Sequence, residues 1–253
     1  MTHLYISLIT FACVFATAML GLYLHGRLPA HHLSDESTNS IKLATGLVAT
    51  IAALVLGLLT SSAKNSYDTV SADLARNAVT ILQLDRALAQ YGPESQDLRV
   101  LLKRNYANWV DLLTSGDSAK LAELEGPEVL GRIEEFQRRL GQLTPATAYQ
   151  RNAQARAIEF ADNVFAARSL ALLQKRGAIP TLLLIVLVSW LMVIFGTFGL
   201  MAPRNATVIF LFLVCALSAA GAIFVILEMD TPLNGIVRVS TEPLHEALEE
   251  LGR

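Results

Sequence analysis

IKLATGLVATIAALVLGLLTSSA, Ile41 to Ala63, is the stretch on which the fold turns. It holds no acidic residue and a single basic one, Lys42 near its start. At a little over about 20 residues it is long enough to cross a hydrocarbon layer of roughly 30 Å. From Lys64 the sequence becomes charged and polar, yet neither Pro nor Gly interrupts it before Gly92-Pro93. Nothing local stops the helix at the membrane surface. The sequence therefore predicts one continuous helix from about Ile41 to Tyr91, half in lipid and half in water.

The two halves carry different stripes. In the lipid half Gly46, Thr50, Ala53, Gly57 and Thr60 recur at alternating steps of four and three, which places small residues along one face. Such a stripe either lets another helix approach closely or lines a narrow path. In the aqueous half Tyr67, Val70, Leu74, Asn77, Ile81, Leu84, Leu88 and Tyr91 continue the same stepping, with Asn77 as the polar member. That is a coiled-coil-like seam. Ordinary helix packing accounts for either stripe taken alone.

Of the 253 residues, 53% are hydrophobic and the mean hydropathy is positive, above the roughly 45–50% apolar content of a soluble domain. The excess sits in four blocks, Leu4–Leu24, Ile41–Ala63, Ala178–Met201 and Thr207–Leu227, each long enough to span a membrane. Leu4–Leu24 lacks the basic start and the small-x-small cleavage site of a signal peptide and is expected to remain as a span. The predicted architecture is all-α: spans one and two within 1–63, a helical cytoplasmic domain at 64–177, spans three and four at 178–229, and a cytoplasmic tail at 230–253. Net charge is near zero and no basic run interleaves with aromatics, which removes the electrostatic footprint of a nucleic-acid binder. Cys13 and Cys215 fall inside spans, where a thiol acts as a small apolar group.

Around this frame the chain reads as helices and turns. Span one carries Ser7, Thr10, Val14, Thr17 and Gly21 on one face, which in lipid turns toward protein or water. The loop His31-His32-Leu33-Ser34-Asp35-Glu36 offers histidines and carboxylates, but adjacent His side chains do not converge on a metal without other ligands. It reads as a solvated loop in which Ser34 or Ser37 caps the next helix. Exposed histidines titrate in the physiological range, so a pH-sensing role for His31 and His32 stays open. In the insert, Leu98, Leu101, Leu102, Tyr106, Trp109 and Leu113 give a helical face. Gly116 and Gly126-Pro127 break it, Leu130, Ile133, Phe136 and Leu140 give another, and Thr144-Pro145 opens an Ala-rich helix running to Arg176. Gly177 and Pro180 mark re-entry, and Ala202-Pro203-Arg204-Asn205 turns span three into span four. Lys64, Arg76, Arg168, Lys175, Arg176 and Arg238 on the insert side outnumber Arg27, Lys42 and Arg204 on the other, which puts the insert and both termini in the cytoplasm.

Chemistry-bearing residues are few. Span four ends Ile226-Leu227-Glu228-Met229-Asp230-Thr231-Pro232, and an acidic residue in the last turn of an apolar helix is a functional candidate. Val214, Ser218, Gly221, Val225 and Glu228 share a face. In a ring of subunits Glu228 would form a ring of carboxylates attracting cations; alternatively it pairs with Lys64 or Arg176. Asn234-Gly235 turns the chain into a short acidic helix opened by Thr241-Glu242-Pro243. No Ser/His/Asp signature, Gly-rich phosphate loop or CxxC is present, so neither an enzyme nor a cofactor is expected.

Two stretches resemble a known family. Leu54-Val55-Leu56-Gly57-Leu58-Leu59 with the later Ser66-Tyr67-Asp68 is similar to the second span of bestrophins. Glu228-Met229-Asp230-Thr231-Pro232-Leu233-Asn234-Gly235, with Val239-Ser240, Pro243-Leu244 and His31-His32-Leu33-Ser34, resembles the bestrophin-like domain family of bacterial membrane proteins. The resemblance implies four spans, cytoplasmic termini, a homo-oligomeric ring, with a pentamer as the expected form, in the bacterial inner membrane, and a pore along span two passing chloride or other small inorganic anions. The candidate pore-lining residues are then Gly46, Thr50, Ala53, Leu56, Gly57 and Thr60, and the selectivity or gating candidates Lys64, Asp68, Glu228 and Asp230. Two other readings stay open: a cation channel, including for divalent ions, with an acidic ring at Glu228 and Asp230, and a non-conducting signalling or scaffold protein using the Tyr67–Tyr91 seam.

Overall fold

A computed structural model of the chain describes residues 2–28, 35–115, 126–174, 179–233 and 235–253. All regular structure among them is helical: α1 (Thr2–His25), α2 (Asp35–Tyr91), a 3₁₀ turn (Pro93–Ser95), α3 (Gln96–Thr114), α4 (Pro127–Gly141), α5 (Ala148–Gln174), α6 (Thr181–Met201), α7 (Ala206–Asp230) and α8 (Glu242–Glu250). Helices α1, α2, α6 and α7 are long and apolar enough to cross a membrane. The chain divides into a membrane unit, Met1–Ser66 with Ala178–Asp230, and a second unit, Tyr67–Gly177 with Thr231–Arg253. The division falls inside α2, which is unbroken, as the absence of Pro and Gly before Gly92 requires. It starts at Asp35, earlier than the expected Ile41, because Asp35 and Glu36 suit the positive end of a helix dipole. Ser37 lies within that first turn and is not its cap. His31, His32, Ser34, Gly116, Lys175, Arg176, Gly177 and Asn234 lie outside the described residues.

In the membrane unit α1 packs against α6 and α7. The contact of α1 with α6 is backbone on backbone: a Cβ on Gly21 would lie 2.1 Å from the Gly196 carbonyl oxygen, and one on Gly199 would lie 2.1 Å from that of Ala18. Only hydrogen fits at such positions. The face of α1 carrying Ser7, Thr10, Val14 and Gly21 is buried, as its small-residue pattern predicts. Its hydroxyls are satisfied locally, Ser7 donating to His3 O (3.0 Å) and Thr10 to Ile6 O (2.9 Å). The last carbonyls of α1 are closed by distant residues. Arg204 donates to Leu22 O (2.9 Å) and to Tyr23 O, and in the other direction His25 Nδ1 of α1 donates to Leu200 O near the end of α6 (2.7 Å). In the α6–α7 turn Asn205 Oδ1 accepts from the Val208 N–H (2.8 Å), capping α7.

The second unit has its own core, Val70, Leu74, Ile81, Leu84 and Leu88 of α2 packing with Leu98, Leu102 and Tyr106 of α3, Phe136 and Leu140 of α4, Ala157 and Ala161 of α5 and Leu244 of α8. The predicted seam is thus covered by this chain's own helices. Gly92 follows α2 at φ +123°, in the left-handed region, where glycine carries no Cβ penalty. The helix expected to open at Thr144-Pro145 opens at Ala148 instead. The cause is a capping box: Thr147 Oγ1 accepts from the Gln150 N–H (3.1 Å), and Gln150 Oε1 accepts from the N–H groups of Ala146 (2.9 Å) and Thr147 (3.3 Å). Gln150 Nε2 also donates to Tyr91 O (3.1 Å) and Gln154 Nε2 to Leu140 O and Leu143 O (both 3.0 Å), so α5 closes the ends of α2 and α4. Burial and the Glu94 charge raise the Tyr91 pKa. A buried bidentate pair, Arg99 to Asp85 at 2.8 and 2.7 Å, joins α3 to α2. Asp85 also accepts from the Gly252 N–H (3.2 Å), while Lys103 donates to Leu251 O (2.7 Å), which holds the end of α8 in place. The hydrogen bond to Asp85 raises the Arg99 pKa further above its usual range.

Candidate functional site: the open face of α2

Within the membrane unit α2 turns one face inward. Thr45, Ala52, Leu59 and Ala63 are buried, the last three packed with Leu187 and Ile194 of α6 and Ile226 of α7. Thr45 Oγ1 donates to Thr197 Oγ1 at 3.2 Å. The pore-lining candidates lie elsewhere on the helix: Gly46, Thr50, Ala53, Gly57 and Thr60 are all exposed, and a Cβ on Gly46 or Gly57 would meet nothing within 4 Å. Of the six, Leu56 differs, being half-buried against the inward core. Thr50 Oγ1 donates to Gly46 O (2.9 Å) and Thr60 Oγ1 to Leu56 O (2.8 Å). With the hydroxyl protons committed to the helix, the face presents methyls, Hα atoms and oxygen lone pairs. That is a smooth, uncharged, weakly polar strip with nothing to hold a solute tightly. Lys64 and Asp68 follow at the next two four-residue steps on α2, and both are exposed.

The acidic candidates are placed differently. Glu228 is buried, 3% exposed, and His3 Nδ1 donates to its Oε1 at 3.0 Å. α1 thus supplies a partner for this carboxylate, and of the two partners expected Arg176 lies outside the described residues. Val214, Ser218, Gly221 and Val225 are exposed on the face expected to continue to Glu228, so the chain buries the carboxylate at the end of an otherwise open stripe. Asp230 is 5% exposed, and its Oδ2 accepts from the Ile179 N–H at 3.2 Å, just ahead of α6. The antiparallel hairpin brings the end of α7 to the start of α6, where free N–H groups favour a carboxylate. These two partners escaped sequence reasoning. His3 carried a signal as a titratable side chain at the head of an apolar helix, whereas a backbone N–H carries none. Among the described residues no group of three or more His, Cys, Asp or Glu is placed to hold a metal ion.

The sequence matches the Bestrophin-like domain family over residues 12–244. The fold is similar to that of a single-substitution variant of a bacterial bestrophin homolog from Klebsiella pneumoniae, with a TM-score of 0.64 and 12% identity over 96% of this chain and 97% of that one. Comparison with curated protein sequences finds no match. With four apolar helices of spanning length and a family match over most of its length, this membrane protein belongs to the Bestrophin-like domain family.

Proposed function

We propose that the protein is a homo-oligomeric ion channel of the bacterial inner membrane, with both termini cytoplasmic, in which the open face of α2 lines the pore and small anions such as chloride pass. The observation that carries this reading is the exposure of Gly46, Thr50, Ala53, Gly57 and Thr60 along one uninterrupted helix. Acyl chains do not select small, hydroxyl-bearing faces, which in membranes turn toward other helices or water. In a ring of copies that face encloses an axis, with Lys64 and Asp68 at its continuation as charged candidates for selectivity or gating. Burial of Glu228 and Asp230 against His3 and the Ile179 N–H argues against an acidic ring at these two positions, since such a ring needs its carboxylates on the pore surface. The excess of basic residues on the insert side supports the orientation. The reading assigns no catalytic residue and no cofactor.

Proteoliposomes test it directly. Chloride efflux that falls in Gly57→Leu and persists in Glu228→Gln supports the anion pore along α2. Potassium or calcium flux lost in Glu228→Gln moves selectivity to the end of α7. No flux under any gradient leaves the scaffold reading.

A further inference from the structure

Helices α1 and α6 touch through Gly21, Gly196 and Gly199, and the larger side chains beside that contact border an open groove. Its walls are Leu20 and Leu24 of α1 and Met192, Val193 and Leu200 of α6, with Ser189 at its far end. At about 1.5 Å per residue the wall from Ser189 to Leu200 rises roughly 16 Å, half of a hydrocarbon core of roughly 30 Å and so the depth of one leaflet. The hydroxyls on the groove are already committed, Thr17 donating to Val14 O (2.9 Å) and Ser189 to Ile185 O (2.8 Å). The groove is therefore apolar toward any guest.

Both walls lead to an arginine. Arg27 stands one turn beyond Leu24 on the same stripe of α1, and Arg204 follows Leu200 just past the end of α6. The two guanidiniums share one ring, Arg27 Cζ lying 4.8 Å and Arg204 Cζ 6.0 Å from the Tyr23 centroid. Arg204 lies across the helix end against Gly26, where a Cβ would come within 2.6 Å of its Cζ. Its Nε and one Nη close Leu22 O and Tyr23 O, which leaves the other Nη as an open donor among the described residues. Arg27 is exposed and its side chain has neither a hydrogen bond nor an ion pair among the described residues. No Asp or Glu occurs in residues 1–34 or 178–227 to neutralise either one. Tyr23, half-exposed, has the amphipathic ring that sits at headgroup level. A free anion would leave the groove empty, an uncharged chain would leave the arginines unmatched, and a zwitterionic headgroup would bring a cation beside them. We propose that the α1–α6 groove binds an anionic phospholipid of the leaflet reached by the α6–α7 turn. One acyl chain lies along Leu20, Leu24, Met192 and Val193, and the phosphate accepts from Arg27 and the open edge of Arg204.

Native mass spectrometry of the full chain in nonionic detergent, titrated with dioleoylphosphatidylglycerol or dioleoylphosphatidylcholine, tests this. The anionic lipid is expected to bind at least about fivefold more tightly, the share of one arginine near a negative headgroup. Arg27→Gln should remove that preference, and because the side chain is exposed and bonds to nothing described, the loss is not a loss of fold. Val193→Trp, which fills the groove from a position 52% exposed, should weaken both lipids by at least about fivefold. Lys42→Gln, at the start of α2, should change neither, and inorganic phosphate in millimolar excess should not displace the lipid. Equal affinity for the two lipids, or an unchanged preference in Arg27→Gln, would overturn the proposal. An equal loss of preference in Lys42→Gln would do the same by reducing the effect to general surface charge, and displacement by phosphate by reducing it to a soluble-anion site. If Arg27→Gln instead dissociates an oligomer of the parent while lipid binding holds, a second copy of the chain covers the groove and the lipid does not.

Discussion

Gln150 closes two helix ends with one side chain. Its oxygen completes the capping box that starts α5 and its nitrogen satisfies the carbonyl of Tyr91 at the end of α2. Replacing it by Ala should cost about 1–2 kcal/mol, read as a lower unfolding midpoint, while Gln150→Glu, which keeps the acceptor and loses the donor, should cost less. Thr147-Ala148-Tyr149-Gln150 stood in the sequence, but Thr144-Pro145 is as good a local start signal. What decides between them is a carbonyl 59 residues away, which no local pattern contains. Tyr106 makes a second prediction. Burial raises its phenol pKa above the ordinary 10.0, so the unfolded chain releases this proton first as pH rises. Stability should be flat through pH 9 and fall above about pH 10, by at most about 1.4 kcal/mol per pH unit for this group. In Tyr106→Phe the fall should be shallower, as thermal unfolding between pH 8 and 11 would measure.

At the scale of the element, similar small-residue stripes meet opposite fates. On α1 the stripe is pressed against α6 until backbone touches backbone, whereas on α2 it faces outward. Both patterns were legible as faces unsuited to lipid; which one this chain would cover was not, because a small-residue face does not name its partner. Gly199→Val sets methyls against the Ala18 carbonyl and should abolish monodisperse, folded protein in detergent. Gly46→Ala, with nothing within 4 Å, should leave the unfolding midpoint within about 0.5 kcal/mol of the parent. If the midpoint drops sharply, that face packs on something in the assembled protein.

For the molecule as a whole, four helices of spanning length and a helical insert between the second and third follow from hydropathy and helix punctuation, since lipid imposes its length requirement on every span. The pairing of His3 with Glu228, 225 positions apart, does not follow, because chain order carries no distance information for helices that meet side by side. If α2 lines the pore, Gly57→Leu should cut chloride efflux by about tenfold or more while leaving expression and the melting profile unchanged, as liposome assays and calorimetry would establish. The closure of α1 has a consequence for biogenesis. Its buried face is completed by Gly196, Gly199 and Leu200 and two of its final carbonyls by Arg204, all of which leave the ribosome long after α1 has been made. Until α6 and α7 follow, the small-residue flank of α1 has none of the backbone it is shaped to meet, so the close packing of this helix is among the last contacts the chain can make.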